Sequence, residues 1–341
     1  MRVITQSEIR AFKSCRLKHH LQYNELLASK KPPGYLRFGT AIHAGLEAFH
    51  KGEDYSLAEC AFGDSYTEAV MKLEANPDVE LWEEDRQEIE QEKQLGWAML
   101  KRYVDFNASQ EPLKVVSLEQ KFTVNLRTPS GHKSPVKLSG KIDGIIKDIH
   151  GNLFLLEHKT AASIDNKYIA KLDLDDQVNT YLWAALELGY DVKGVFYNVL
   201  AKWIPQPPEI LKSGKRAGRL SANKTMKTTH ALYQGELDRW GLEPDEEERQ
   251  MLSMLEAKGD QTFLREKVYR NRSEINRIGQ ELYLTARDMA KPHIYRNPAI
   301  CERSGCTVRS LCIEDGPEAR LNFRIKTSKH EELEDENGND T

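Results

Sequence analysis

The chain has 341 residues, a formal net charge of -4 and 30% charged residues, enough length for one large or two ordinary folded units. No apolar run approaches the roughly 18 residues of a membrane span, and the opening MRVITQSEIRAFKSC lacks the apolar segment of a secretory signal, so neither insertion nor export is expected. A near-neutral total alone argues weakly against a nucleic-acid partner, but the charge is segregated along the chain. Thr5-Gln6-Ser7-Glu8 reads as a helix start, with Thr5 as N-cap and Glu8 at the capping-box position, and the helix is expected to reach Tyr23 or beyond. After Pro32-Pro33-Gly34, helical spacing resumes over Leu36–His50, with Ile42, Leu46 and Phe49 on one face and His43 on an adjacent one. Residues 55–107 read as two helices, the second dense in Glu and Gln. Strands are expected over Val115–Leu126 and within Leu138–Thr160, then a helix over Leu174–Leu188 and a strand over Gly194–Leu200. Residues 229–290 read as helical, and Pro292 and Pro298 lead into a cysteine-rich end. No internal repeat is present.

The segment LSGKIDGIIKDIHGNLFLLEHKT, Leu138–Thr160, carries the chemistry. His150-Gly151-Asn152 is a turn signal between two apolar stretches, so the segment reads as a hairpin. Side chains alternate along a strand, which puts Glu157 and Lys159 on one face, and an antiparallel partner can bring Asp143 beside them. Two carboxylates and an ammonium at this spacing suit metal-assisted phosphodiester hydrolysis, with Asp143 and Glu157 as hard oxygen ligands for Mg2+ or Mn2+. Lys159 is placed to orient or activate water. A surface hairpin with ordinary charges is the alternative, and the apolar runs abutting these charges weigh against it.

Residues 210–235 hold no acid, while Lys212, Lys215, Arg216, Arg219, Lys224 and Lys227 lie among Gly, Ser, Asn and Thr. This reads as a flexible basic loop suited to phosphates, or else as a solvated connection. The last dozen residues, HEELEDENGNDT, carry six acids and no Lys or Arg, and are expected to form a disordered tail. Of five cysteines, three cluster as Cys301-ERSG-Cys306-TVRSL-Cys312. Three clustered thiols need a fourth ligand to complete a tetrahedral metal site or an iron-sulfur cluster, and Cys15 is the natural donor; spacing alone leaves zinc and iron-sulfur open. Cys60, in LAECAF, is expected to be a small core residue.

Six segments occur in an order that resembles the PD-(D/E)XK nucleases of the RecB-like branch, and in particular the CRISPR-associated-type iron-sulfur exonucleases of bacteria and phages. They are SEIRAFKSCRLKHHLQY with Cys15, RFGTAIHAGLE with His43, GKIDGII with Asp143, LLEHKT with Glu157 and Lys159, DQVNTYLWA with Gln177 and Tyr181, and the terminal cysteines. The spacing departs from the family at one point, where four residues rather than two separate Cys301 from Cys306. The resemblance implies an α/β fold, a restriction-endonuclease-like core whose mixed central sheet is flanked by helices, with helical insertions and a cysteine-rich metal-cluster segment. It implies one nuclease domain over residues 1–320, comprising N-terminal helices (1–54), a helical insertion (55–110), a catalytic core (111–205), the basic loop (206–235), a helical region (236–297) and the cysteine-rich segment (298–320). An acidic disordered tail would follow over 321–341.

The resemblance further implies that His43, Asp143, Glu157 and the backbone carbonyl of His158 bind the divalent metal. Lys159 handles the water, and Gln177 and Tyr181 hold that lysine and the DNA. Cys15, Cys301, Cys306 and Cys312 would bind a 4Fe-4S cluster, with Zn2+ as the alternative. The expected activity is a cytoplasmic DNA exonuclease working from single-stranded ends in recombination, repair or phage DNA metabolism. A structure-specific endonuclease and a noncatalytic DNA-binding subunit are the alternatives. No Gly-x4-Gly-Lys-Ser/Thr motif is present, so a helicase partner would be another chain. Residues 55–107 and 229–290 are expected to wall a DNA channel, with Trp203, Tyr233 and Trp240 either stacking on bases or packing.

Overall fold

The computed structural model describes residues 2–77, 79–110, 113–259, 261–301 and 305–334. The chain opens with β1 (Arg2–Thr5), α1 (Gln6–Ser14), α2 (Arg16–His19) and β2 (Leu27–Ser29). Three long helices follow, α3 (Gly34–Gly52), α4 (Tyr55–Glu74) and α5 (Glu83–Ala108). Then come β3 (Lys114–Arg127), β4 (Lys133–Lys147), β5 (Leu153–Ala161), α6 (Asn166–Leu172), α7 (Asp176–Glu187) and β6 (Val192–Ala201). The last third holds α8 (His230–Trp240), α9 (Glu246–Lys258), β7 (Phe263–Tyr269), α10 (Arg272–Asp288), the short α11 (Pro298–Cys301), α12 (Arg309–Ile313) and α13 (Pro317–Arg320), and β8 (Phe323–Ile325).

Six strands form one mixed sheet in the order β1-β4-β5-β6-β7, with β3 paired to β4. The β1–β4 and β5–β6 pairs are parallel, and the others are antiparallel. Strand β5 is buried on both faces, as its unbroken LFLL run requires. Leu155 faces a core built with Leu182, Trp183 and Ala184 of α7. Phe154 and Leu156 face the other way, toward Ile146 and Phe196. A second large core joins Phe38, Ile42 and Leu46 of α3 to Phe62 and Tyr66 of α4 and Leu100 and Tyr103 of α5, and it closes on Leu200 and Phe263 of the sheet. The mixed central sheet flanked by helices is the fold expected from the sequence.

One edge of β4 is shared. Residues Val136–Ser139 pair with β1, and Gly144–Lys147 pair with β5. Between these two ladders, Gly140–Asp143 have no partner strand on that edge among the described pairings, and the sheet forks there.

Several expectations from sequence are corrected. The first helix stops at Cys15, whose backbone is extended, with φ -160°. Thr5 does cap it, but Glu8 turns inward instead of back to the cap: it is fully buried, 3.0 Å from His19 and 2.7 Å from Lys329. Burial disfavours its charge, yet those bonds outweigh the burial and hold the carboxyl below its ordinary value. Within 229–290, β7 is a strand, so this region forms a sheet edge rather than a purely helical wall. Its FLREKVY sequence interleaves charges that reach Asn198 and Asp148, which masks the strand pattern.

Cys60 is exposed, because it lies on the outer side of α4 while Ala58 and Phe62 point to the core. The basic segment is an ordered lobe: Leu220 is fully buried against Tyr233 and Leu237, and Arg216 and Arg219 pair with Asp245 and Glu248. Two of its six cations are therefore engaged within the protein. Tyr233 is packed in that lobe, Trp203 packs partly buried against the main core, and Trp240 is exposed. Residues 321–334 are not a disordered tail either. β8 pairs with β2, Phe323 is buried, and Glu331 and Glu332 bond to Arg324 and Thr5. The rest of the acidic end, residues 335–341, lies outside the described residues, as do Glu302, Arg303 and Ser304 of the longer cysteine spacing.

Candidate active site

The fork in the sheet is where the chemistry gathers. Asp143, the last residue before β4 joins β5, accepts a 2.9 Å hydrogen bond from the His158 backbone N–H. Alternation along β5 turns Glu157 and Lys159 toward α7 and His158 toward α3 and α5. The Lys159 ammonium donates to the Glu157 carboxylate and, at 2.9 Å, to Gln177 Oε1. Gln177 is fixed at the first turn of α7 by Asp175, whose carboxylate accepts from the Gln177 and Val178 N–H groups and from the Tyr197 hydroxyl at 2.6 Å. One helical turn on, Tyr181 is buried with its ring edge-on to Phe122 and beside Gly140, where an added Cβ would sit 3.2 Å from it.

His43 reaches the fork from α3, its Nδ1 3.4 Å from Asp143 Oδ2. Glu119 arrives from β3. It sits opposite Asp143 with a left-handed backbone, φ +47°, and pairs with Lys141. His43, Glu119 and Asp143 offer ligand atoms all within 4.8 Å of one another. Glu157 adjoins this group through its electrostatic coupling to Asp143.

The electrostatics fit a cation. Burial, reinforced by the Asp143 charge, pushes the Glu157 carboxyl up to about 7 even though Lys159 opposes it. Burial also raises Asp143, and burial together with Asp143 raises Glu119. Burial, then the nearby Lys159 charge, pushes the His43 imidazole down and keeps it neutral, the form that binds metals. Three carboxylates that resist ionisation side by side, next to a neutral imidazole, are relieved by a divalent ion. The oxygen-rich donor set suits Mg2+, and its one nitrogen also accommodates Mn2+.

A model of the PD-(D/E)XK nuclease superfamily matches residues 3–313. The chain belongs to this superfamily. No individual curated protein matches it. Membership supports a metal-dependent nuclease activity, and in this PD-(D/E)XK nuclease the sequence-derived residues His43, Asp143, Glu157, Lys159, Gln177 and Tyr181 all come together at the fork. Sequence reasoning missed Glu119, whose approach depends on a positive φ, and the Tyr197–Asp175 pair, which joins residues 22 apart. It also left out the layer beneath β5. There the His158 ring packs 5.7 Å from His50 and 5.5 Å from Tyr103, and Arg265 bonds Asn198 at 2.7 Å. Burial first, and then the Arg265 charge, hold His50 down to about 4, so this layer is neutral imidazole and phenol. Its signal was in the sequence, since His50 follows His43 by two helical turns.

The four cysteines singled out from sequence line one cavity of about 460 Å3. Cys15 enters it at the break between α1 and α2, Cys301 and Cys312 enter from α11 and α12, and Cys306 from the segment between those two helices. All four thiols are free, and Arg10, Lys18, Arg296 and Arg309 surround them. Among the described residues no three thiols come within 4.8 Å of each other. No helix among those residues is long and apolar enough to cross a membrane.

Proposed function

We propose that this chain is a divalent-metal-dependent DNA exonuclease that degrades from single-stranded ends, serving recombination, repair or phage DNA metabolism. The observation that carries the reading is the convergence of His43, Glu119 and Asp143 with the Glu157-Lys159-Gln177 chain at the fork of the sheet. His43, Asp143, Glu157 and the His158 carbonyl would hold Mg2+ or Mn2+, with Glu119 added to the set. The bound ion supplies Lewis-acid stabilisation of the phosphate and of the attacking water.

The protein's own groups do the rest. Burial works against the Lys159 charge, but Glu157 and Asp143 outweigh it and raise the ammonium above its ordinary value. Lys159 thus remains charged. It orients water and stabilises the developing phosphate charge rather than accepting a proton. Gln177 fixes the lysine's direction, and Tyr181, whose phenol burial keeps protonated, is a hydrogen-bond donor beside it.

The four cysteines lining one cavity support a 4Fe-4S cluster, which takes four thiolate ligands, with Zn2+ as the alternative for the same donors. The surrounding arginines and lysine would compensate the negative charge of such a thiolate-bound cluster.

Two experiments test the proposal. End-labelled linear and covalently closed circular single strands are incubated with Mn2+, beside Asp143→Ala. Shortening of the linear strand alone is the expected result, cut circles overturn the exonuclease reading, and no cleavage of either overturns the nuclease reading. Anaerobically purified protein is expected to carry iron and acid-labile sulfide that Cys15→Ser loses, and an iron-free wild type refutes the cluster.

A further inference from the structure

A basic groove lies outside the catalytic centre. About 550 Å3 in volume, it runs between the clasp formed by the two chain ends and the helices α3 and α4. Five cations line it, Lys30, Arg37, Lys72, Arg324 and Lys326, against one carboxylate, Glu331. Arg324 and Glu331 pair at 2.7 and 2.8 Å and offset one another, which leaves Lys30, Arg37, Lys72 and Lys326 as the excess positive charge of the lining. Arg37 is anchored by Glu92 at 2.6 Å, and Lys72 pairs with Glu68 along the exposed side of α4.

The floor between these cations is apolar. Leu36 and Leu73 line it, Leu36 is 52% exposed, and Tyr23 lies beneath, its ring covered by Lys326 at 4.4 Å and stacked with His19 at 5.7 Å. Thr40 also lines the groove. It precedes His43 by three residues on the same helix, so this wall of the groove runs within about one helical turn of the candidate metal ligand.

We propose that this groove carries the single-stranded nucleic-acid substrate on its way to the fork. Cations along a rim attract a phosphate backbone, and an apolar floor accepts base faces. Unpaired bases expose those faces, whereas a duplex hides them in its stack. That difference selects a single strand over a double one. The inference rests on the nuclease reading of the neighbouring fork, but its strongest test requires no cleavage.

Binding of fluorescein-labelled oligothymidylate is followed by anisotropy in EDTA across a salt series, for wild type and for the double variant Lys72→Ala, Arg324→Ala. Both side chains are substantially exposed, at 58% and 47%, and thermal melts verify that the fold is kept. Each phosphate contact on a single strand contributes about 0.7 to the slope of log K against log salt, so the double variant is expected to lose about 1.4. Leu36→Ser is expected to weaken binding without changing the slope. With Mn2+, the double variant is expected to hydrolyse the p-nitrophenyl ester of thymidine 5'-phosphate, which occupies only the fork, as wild type does, but to degrade long single strands more slowly.

An unchanged slope overturns the groove assignment, as does tighter binding of duplex than of single strand. So does loss of poly-glutamate binding in the variant while oligothymidylate binding persists, which would mark a site for acidic peptides. If wild type cleaves nothing yet the slope still falls, the nuclease reading fails and the groove assignment stands.

Discussion

Glu157 offers the most direct measurement of what the buried carboxylates cost the fold. Burial and the neighbouring Asp143 push its carboxyl from the ordinary 4.5 up to about 7, with Lys159 only partly opposing them. At about 1.4 kcal/mol for each pH unit of displacement, ionising this group in the metal-free protein costs about 3 kcal/mol. The direction follows from linkage. The folded state binds the proton more tightly than the unfolded chain, so this contribution to stability is fully present below about 4.5 and is lost as pH rises to about 7. Glu157→Gln removes the titration while keeping the shape. Denaturant unfolding in EDTA at pH 5 and pH 8 should show wild type losing about 2.5 kcal/mol more than the variant across that interval, the remainder having been lost below pH 5. Mg2+ or Mn2+ should then stabilise wild type far more at pH 8 than at pH 5, because the ion binds the ionised form. Parallel pH dependences for the two proteins in EDTA would refute the reasoning.

Three further outcomes follow from other contacts. Glu119→Gln is expected to weaken Mn2+ binding by at least about tenfold in calorimetric titration, since the group of three ligands loses a charged oxygen. Tyr197→Phe leaves the Asp175 carboxylate without its buried donor; it should cost about 2 kcal/mol in unfolding experiments and lower kcat more than it raises KM, through the Gln177–Lys159 contact. Gly96→Ala sets a helix-propensity gain of about 1 kcal/mol against a Cβ placed 2.0 Å from the Phe62 ring. Phe62 is fully buried among Phe38, Tyr66 and Trp97, so overpacking of about 1–3 kcal/mol prevails and the melting temperature falls.

What could be read in the sequence was whatever depends on local period. The helices of residues 55–107, the β4–β5 hairpin and the Glu157–Lys159 face all follow from alternation or helical spacing. Long-range pairings were illegible. The charges of Arg216 and Arg219 could be counted, but their acidic partners lie 26 to 32 residues downstream, so a loop that reads as free for phosphate is in part committed to α9. Glu119 was hidden for a different reason, since a glutamate in a left-handed conformation carries no sequence signature. Strand β7 was obscured because a strand at the sheet edge keeps charged side chains that reach sideways to Asn198 and Asp148.

The closure of the chain ends sets the order in which the protein can mature. Glu8 has no access to solvent, and its counter-charges include Lys329 and His330, more than 300 residues away. A nascent chain that has emerged only through its first helices therefore has Arg2 and His19 beside Glu8, but still lacks Lys329 and His330. The full set of charges around Glu8 is assembled only after residues 329 and 330 have emerged. A chain cut short ahead of β8 would leave Glu8 with Arg2 and His19 alone, so damage near residue 330 is felt at the helix that opens the fold.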